Sequence, residues 1–270
     1  MSDTRPYKHF SQNFLQSQHF ARRIVESLEI RKTDSIIEIG PGKGILSEQI
    51  LKYQPAQFIA IEIDERWHSE LSSRFAPSVH LIRDDFLNIQ LNEFVDGQSR
   101  KRLKIIGNIP YHITSPIFFK LIDHYSLVDC AVIMTQREVA NRLVSNCGNK
   151  EYGILSVIAQ TYSEINYLFT VSKDHFHPRP QVDSAVLKMR FFRQPQNIDN
   201  EELFRRVVRM AFNYRRKMLK NALIRNFDKS IVYSLGAVDL DQRPEQLSPE
   251  QFKILANEIN SKTIDKHGNH

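Results

Sequence analysis

Residues 35–44, SIIEIGPGKG, decide the fold, because an apolar strand runs directly into a turn that carries three glycines at alternate positions. Glycine lets the backbone turn tightly and approach a ligand closely. The spacing GxGxG differs from the GxGxxG of dinucleotide-binding proteins, and no serine or threonine follows Lys43 as a P-loop requires. Taken alone, the turn indicates an α/β protein, since many such proteins use one structurally.

Strands and helices alternate outward from this turn through the first two thirds of the chain. After strand 35–39 and helix 44–53, the pattern predicts strands at 57–63, 79–83, 103–107 and 127–135 and helices at 65–75, 115–125 and 137–145. This alternation predicts a Rossmann-like, doubly wound and mostly parallel sheet. Two later β-rich stretches, 165–171 and 184–192, have no helix between them, so we expect an antiparallel, hairpin-like addition at one edge.

The helix at 115–125 has a recognisable start. Ser115 is the expected N-cap, and Pro116 is expected in the first turn, where its missing N–H costs nothing.

Acidic residues follow the second and third predicted strands. Glu62 is placed to bind the two hydroxyls of a ribose. Asp85 is placed to accept a hydrogen bond from an exocyclic amine, while Phe86 packs near an adenine. Either acid alone would fit an ordinary surface carboxylate equally well. A glycine turn, a ribose acid and a third-strand acid in this order indicate S-adenosylmethionine rather than a nicotinamide cofactor.

The tetrapeptide Asn108-Ile109-Pro110-Tyr111 follows the fourth predicted strand. Open α/β sheets bind ligands beyond the carboxyl ends of their strands, so an amide, a carbonyl and an aromatic ring converge at a functional position. The group suits a planar amine, because carbonyl oxygens accept its N–H bonds while the ring stacks on its face. On its own, the tetrapeptide would equally fit a tight turn with a packed tyrosine.

Residues 205–225 hold eight basic residues and no acidic residue, so the positive charge of this segment exceeds the net charge of +6 for the whole chain. The eight are Arg205, Arg206, Arg209, Arg215, Arg216, Lys217, Lys220 and Arg225. Such concentrated charge indicates a polyanion partner, whereas a solvated helix face usually mixes signs. Apolar residues recur here at spacings of three and four, which predicts helix. We therefore predict an α/β domain at 1–193, a helical domain at 199–262 and a tail at 263–270.

Bulk properties exclude several classes of protein. No apolar segment approaches the length of a bilayer span, and residues 1–10 lack the apolar stretch of a signal peptide. Two cysteines support no disulfide framework, and the ten histidines show no metal-binding spacing. We expect a cytoplasmic monomer without a metal, and Cys130 is expected in the core.

With these motifs in order, the chain resembles the ribosomal RNA adenine N6-dimethyltransferases, and among them the small-subunit branch associated with kasugamycin resistance. The resemblance covers nearly the whole chain. Its motifs are HFSQNFL (9–15), EIGPGKG (38–44), NIPY (108–111), KEYG (150–153), LSV (155–157), FHPRPQVDSAV (176–186), RRK (215–217) and RPEQLS (243–248).

The resemblance implies a class I S-adenosylmethionine-dependent methyltransferase with a seven-stranded sheet. Its substrate would be 16S rRNA in the immature 30S subunit, dimethylated late in assembly at the N6 of two adjacent adenosines in the 3′-terminal hairpin loop. The implied cofactor residues are Asn13, Leu15, Gly40, Glu62, Asp85 and Asn108. The implied RNA-binding residues are Arg206, Arg209, Arg215, Arg216, Lys217 and Lys220.

For an adenine substrate, the chemistry of the amine then predicts catalytic roles. The Asn108 side-chain oxygen and the carbonyl of Ile109 or Pro110 would accept the two N6–H bonds of adenine. Tyr111 would stack on the base, and Phe176 would cover its other face. The chain departs from the family pattern at Ile109, His112 and Ile154, where leucine, asparagine and arginine are usual. His112 would alter contacts beside the base, and Ile154 would weaken one RNA contact.

Two alternatives stay open. The large-subunit branch, which causes macrolide resistance, shares the cofactor motifs and the NIPY form. The RRK and RPEQLS motifs fit the small-subunit branch better. A mainly non-catalytic assembly factor is the second alternative, and the intact Asn108 and Glu62 argue against it.

Overall fold

The computed structural model describes residues 13–95 and 102–268. They cluster into two compact units. The first unit comprises the residues up to Ala140 together with Ser163–Arg193, and the second comprises Asn141–Tyr162 together with the residues from Gln194 onward. Residues 141–162, which the sequence led us to place in the α/β domain, therefore cluster with the C-terminal helices. Residues 1–12, which include the start of the HFSQNFL motif and the region without a signal-peptide pattern, lie outside the described residues.

The first unit contains nine described strands. They are β1 (Phe14–Leu15), β2 (Ser35–Ile39), β3 (Gln57–Ile61), β4 (His80–Ile82), β5 (Leu103–Asn108), β6 (Val128–Gln136), β7 (Ser163–Val171), β8 (Phe176–His177) and β9 (Ser184–Phe191). Seven of them form one sheet in the order β4-β3-β2-β5-β6-β9-β7, and β1 pairs with β8 in a separate ladder. Strands β2 to β6 are parallel, whereas β9 runs antiparallel to both β6 and β7. The predicted parallel sheet with an antiparallel edge is confirmed.

Helices cover the apolar faces of this sheet. Those of the first unit are α1 (Gln18–Ser27), α2 (Ile45–Leu51), α3 (Glu65–Phe75), α4 (Thr114–Asp123) and the start of α5 (Arg137–Val144). Ile24 of α1 and Ile50 of α2 pack in one core cluster with Ile36 and Val132 of the sheet. Cys130 lies in the same cluster, as expected. The sequence reading missed α1, although Ala21, Ile24, Val25 and Leu28 follow a helical period.

The predicted N-cap of α4 is wrong. Residues Tyr111–Ile113 form a 3-10 turn, so the helix already begins at Thr114, and Ser115 lies inside its first turn. The Thr114 hydroxyl instead donates to the Pro110 carbonyl at 3.3 Å. Pro116 lies in the first turn, as predicted.

The second unit is helical among its described residues. It contains the end of α5 and the helices α6 (Ile154–Tyr162), α7 (Glu201–Asn213), α8 (Leu219–Ile224), α9 (Lys229–Ser234) and α10 (Pro249–Gly268). Helix α10 packs through one apolar face, since Phe252, Leu255 and Ile259 are fully buried. Helix α10 also continues to Gly268, through most of the predicted tail, and residues 269–270 lie outside the described range. No helix in the described part of the chain is long and apolar enough to cross a membrane.

Candidate active site

A cavity opens in the first unit where the parallel strands β2, β3 and β5 end. It is lined by residues 13–15, 38–43, 45–46, 61–63, 84–86 and 108–113. All six residues with an implied cofactor role belong to this lining: Asn13, Leu15, Gly40, Glu62, Asp85 and Asn108. Within residues 13–95 and 102–268, no group of three or more His, Cys, Asp or Glu side chains could hold a metal ion.

The glycine turn after β2 forms the floor of the cavity. Gly40 and Gly42 adopt φ values of +60° and +54°, in the left-handed region that residues with a Cβ atom rarely adopt. A Cβ atom on Gly42 would lie 2.8 Å from the Phe14 ring, so this glycine is required by packing. A Cβ on Gly40 would meet no atom within 4 Å. The backbone at Gly40 therefore borders open space within the cavity.

Glu62 holds the turn in place. Its carboxylate accepts hydrogen bonds from the backbone N–H of Gly42 and of Asp64, each at 2.9 Å. The side chain is 3% exposed, and burial raises the pKa of Glu62 while the two N–H groups oppose that rise. The predicted ribose acid is thus also a clamp between the glycine turn and the end of β3.

A second buried acid, Glu38, lies beneath the same turn. The Ser47 hydroxyl donates to its carboxyl group at 2.6 Å, and burial raises the pKa of Glu38 to about 8. With a pKa of about 8, the Glu38 carboxyl group holds its proton at neutral pH. The sequence reading assigned Glu38 no role, although it directly precedes the glycine turn.

Asn108 is fixed by the N-terminal segment. Its side-chain nitrogen donates to the Asn13 carbonyl at 3.0 Å, which directs the side-chain oxygen away from that carbonyl. The short ladder that pairs Leu15 with Phe176 holds the segment in place. This pairing explains how Asn13 and Leu15, far from the glycine turn in the sequence, line the same cavity.

Ile109 and Pro110, the next two residues, differ in how their backbone groups are hydrogen-bonded within the protein. The Pro110 carbonyl already accepts the backbone N–H of Ile113 at 3.2 Å and the Thr114 hydroxyl. The Ile109 N–H donates to the Met134 carbonyl at 3.0 Å, which anchors the tetrapeptide to β6. Of the two carbonyls that the sequence left open, that of Pro110 is therefore already engaged within the protein.

The two aromatic residues with predicted base contacts differ in their surroundings. Tyr111 is half-buried in the cavity lining, its hydroxyl lies 3.2 Å from that of Ser184, and burial raises its pKa. Phe176 is only 5% exposed and belongs to the hydrophobic core. In this conformation its ring does not line the cavity, so the structure does not bring the predicted pair of stacking rings together.

Three further residues complete the rim. Asp85 caps a short 3-10 helix by accepting the Leu87 N–H at 2.9 Å. Ile63 exposes 48% of its surface in the cavity lining and was missed by the sequence reading. The available signal was an apolar residue between Glu62 and Asp64 at the end of a parallel strand. His112, one of the departures from the family pattern, is exposed at the same rim.

The predicted RNA-binding residues all lie in the second unit. Arg206, Arg209, Arg216 and Lys217 are exposed, whereas Arg215 and Lys220 are half-buried. Three of the six contact protein groups: Arg206 lies over the Phe227 ring at 5.1 Å, Lys220 over the Tyr233 ring at 4.8 Å, and Arg215 pairs with Glu245 at 2.7 Å. Arg215 also donates to the Lys150 carbonyl, so its guanidinium is engaged in packing.

A family model described as "Ribosomal RNA adenine dimethylase" matches residues 4–261. The "Ribosomal RNA small subunit methyltransferase A" of Chlorobium phaeobacteroides is 45% identical over 93% of either chain. That of Bacteroides thetaiotaomicron is 36% identical over the full length of both chains.

Two solved structures show the same architecture. A dimethyladenosine transferase from Plasmodium falciparum superimposes with a TM-score of 0.79 and 26% identity, covering 93% of this chain and 98% of that one. The 23S rRNA methyltransferase ErmE gives a TM-score of 0.70 and 25% identity, covering 92% of this chain and 100% of that one.

Proposed function

This chain belongs to the ribosomal RNA adenine dimethylase family, and from that premise we propose that it dimethylates adenine N6 in small-subunit ribosomal RNA with S-adenosylmethionine as methyl donor. One observation carries the proposal. The Asn108 amide is locked by Asn13 in a cavity that also contains the glycine turn and Glu62. Such a cavity brings an acceptor for an amine next to a nucleoside-binding turn.

The relatives support a target in the small subunit. The two small-subunit enzymes are 45% and 36% identical to this chain, whereas the large-subunit enzyme ErmE is 25% identical. We therefore place the target in 16S rRNA, at two adjacent adenosines of the 3′-terminal hairpin loop within the immature 30S subunit. The large-subunit and non-catalytic alternatives have less support.

The residues present fit S-adenosylmethionine. The open space beside Gly40 admits a ligand against the backbone, and the Glu62 carboxylate has lone pairs left for ribose hydroxyls. Ile63 offers an exposed apolar surface for an adenine face. Asn13 and Leu15 would hold the methionine portion, and Asp85 the exocyclic amine. When bound, the cofactor supplies an electrophilic methyl group on a sulfonium centre.

Asn108 and Ile109 orient the target amine. The Asn108 side-chain oxygen and the Ile109 carbonyl accept the two N6–H bonds, and this geometry turns the nitrogen lone pair out of conjugation with the ring. The same oxygens stabilise positive charge that develops on nitrogen. Pro110 contributes by shaping the turn, because its own carbonyl is used within the protein.

Tyr111 positions the base. Its ring offers a stacking face, and the Ser184 hydroxyl restrains the phenol at the other end. A base can reach this position only after leaving its helical stack. For Phe176 to cover the second face, its ring would have to leave the core.

Methyl transfer to undermethylated 30S particles tests the proposal. Particles from cells that lack this enzyme are incubated with tritiated S-adenosylmethionine, and the labelled RNA is digested and mapped. We expect N6,N6-dimethyladenosine at two adjacent positions of the 16S 3′-terminal hairpin. Label in 23S rRNA instead would support the large-subunit alternative, and no label in either RNA would support the non-catalytic one.

A further inference from the structure

Tyr233 on α9 exposes 63% of its surface, which is unusual for a large aromatic side chain. The Lys220 ammonium of α8 lies 4.8 Å from the centre of its ring and covers one face. Single exposed apolar residues are common and need no explanation. A ring with a cation on one face, beside a strongly basic segment, is a more specific arrangement.

Two further cations lie close to this pair in sequence. Arg216 and Lys217 precede the first residue of α8 by three and two positions, and both are exposed. Three exposed acids, Asp228, Asp239 and Asp241, also lie nearby in sequence. None of the three cations Arg216, Lys217 and Lys220 forms an ion pair with any residue that the structure describes. Their charge is therefore available to a polyanion.

The ring and its lysine are held by the fold. The backbone N–H groups of Leu219 and Lys220 donate to the carbonyls of Gln242 and Leu240, at 2.8 and 3.0 Å, which anchors the start of α8. Ile231 and Val232 are buried and anchor α9 beneath Tyr233. The pair is thus set before any partner binds, and little conformational entropy is lost on contact.

We propose that Tyr233 is a stacking platform for an unpaired RNA base, with Lys220, Arg216 and Lys217 on the adjoining phosphates. Proteins that bind single-stranded or looped RNA combine aromatic faces with basic side chains in this way. A duplex offers no exposed base face within its length, so the partner is an RNA loop, bulge or end. The proposal rests on the proposed function only in taking ribosomal RNA as the partner.

Equilibrium binding to deproteinised, undermethylated 16S rRNA tests the platform with full-length variants over a range of salt concentrations. Tyr233→Leu keeps an apolar side chain but removes the π face. We expect about tenfold weaker binding with an unchanged salt slope. Tyr233→Phe keeps the face and should bind like the unaltered protein. Lys220→Gln should reduce the salt slope by about one.

Phe192→Leu is the matched control, since Phe192 is also an exposed aromatic residue (43%) but lies outside the basic segment. It should leave binding unchanged. Thermal unfolding checks that all variants fold. Binding of Tyr233→Leu equal to that of the unaltered protein would overturn the platform. A loss seen only with intact 30S particles would also overturn it, because the ring would then contact a ribosomal protein.

Methylation by the unaltered protein separates the two proposals. If that protein methylates 30S particles and Tyr233→Leu binds RNA normally, only the platform fails. If the unaltered protein binds RNA with the expected Tyr233 dependence but transfers no methyl group, only the proposed function fails.

Discussion

The side-chain nitrogen of Asn108 donates to the backbone carbonyl of Asn13 at 3.0 Å. Because a primary amide has one acceptor oxygen and one donor nitrogen, this bond fixes which end of Asn108 is offered to a ligand. The N-terminal segment therefore does more than cover the cavity. It sets the polarity of the group that we propose to receive the adenine amine.

Asn108→Ala should lower kcat by about 100-fold or more, since it removes a pre-oriented acceptor for developing positive charge. Asn108→Asp should also fail, because a carboxylate cannot donate to the Asn13 carbonyl and would repel it. Single-turnover methylation of 30S particles measures the effect. Both variants should bind S-adenosylmethionine measurably, and turnover within tenfold of normal for Asn108→Ala would remove Asn108 from the mechanism.

Glu62→Gln should weaken S-adenosylmethionine binding about tenfold or more. Glutamine has only one acceptor oxygen, so one of the N–H groups of Gly42 and Asp64 would lose its partner in a buried site, at a cost of about 1–3 kcal/mol. Calorimetric titration gives the dissociation constant. Glu70→Gln is the control, because Glu70 is an exposed acid that does not line the cavity. Equal affinities for the two variants would show that Glu62 is not a cofactor ligand or clamp.

The strands of the parallel sheet could be predicted because their signal is local. Ser35–Ile39 and the helix Glu65–Phe75 have the predicted bounds, since apolar runs alternate with amphipathic segments there. The ladder of β1 with β8 could not be predicted in this way. It joins two-residue strands more than 150 residues apart, and neither has a period to detect.

The same difference between local and long-range signals applies to the residues of the site. Residues at strand ends, such as Glu62 and Asn108, could be placed because the carboxyl edge of a parallel sheet is a known ligand position. The direction of the Phe176 ring and the start of α4 could not, because both depend on contacts that the local pattern does not contain. Phe176 was expected at the base, yet its ring packs in the core, and Ser115 was expected to cap a helix that already begins at Thr114.

Glu38 should make stability depend on pH. In the folded protein its pKa is raised by burial to about 8, against an ordinary value of 4.5. Between these values the folded state holds a proton that the unfolded state releases, so this contribution is complete below pH 4.5 and is lost as pH rises through 8. The free energy of unfolding from urea titrations should therefore fall over this interval. Glu38→Gln should flatten the decline, and parallel profiles for the two proteins would refute the assignment.

Tyr152→Phe should destabilise the second unit. Tyr152 belongs to the KEYG motif, is fully buried, and donates from its hydroxyl to the Leu247 carbonyl at 2.9 Å. Removing the hydroxyl leaves that carbonyl without this donor, which costs about 1–3 kcal/mol. Urea unfolding measures the loss, with Tyr233→Phe as the control because its hydroxyl lies on an exposed ring. If both variants unfold at the same urea concentration as the unaltered protein, the hydrogen bond from Tyr152 does not stabilise the second unit.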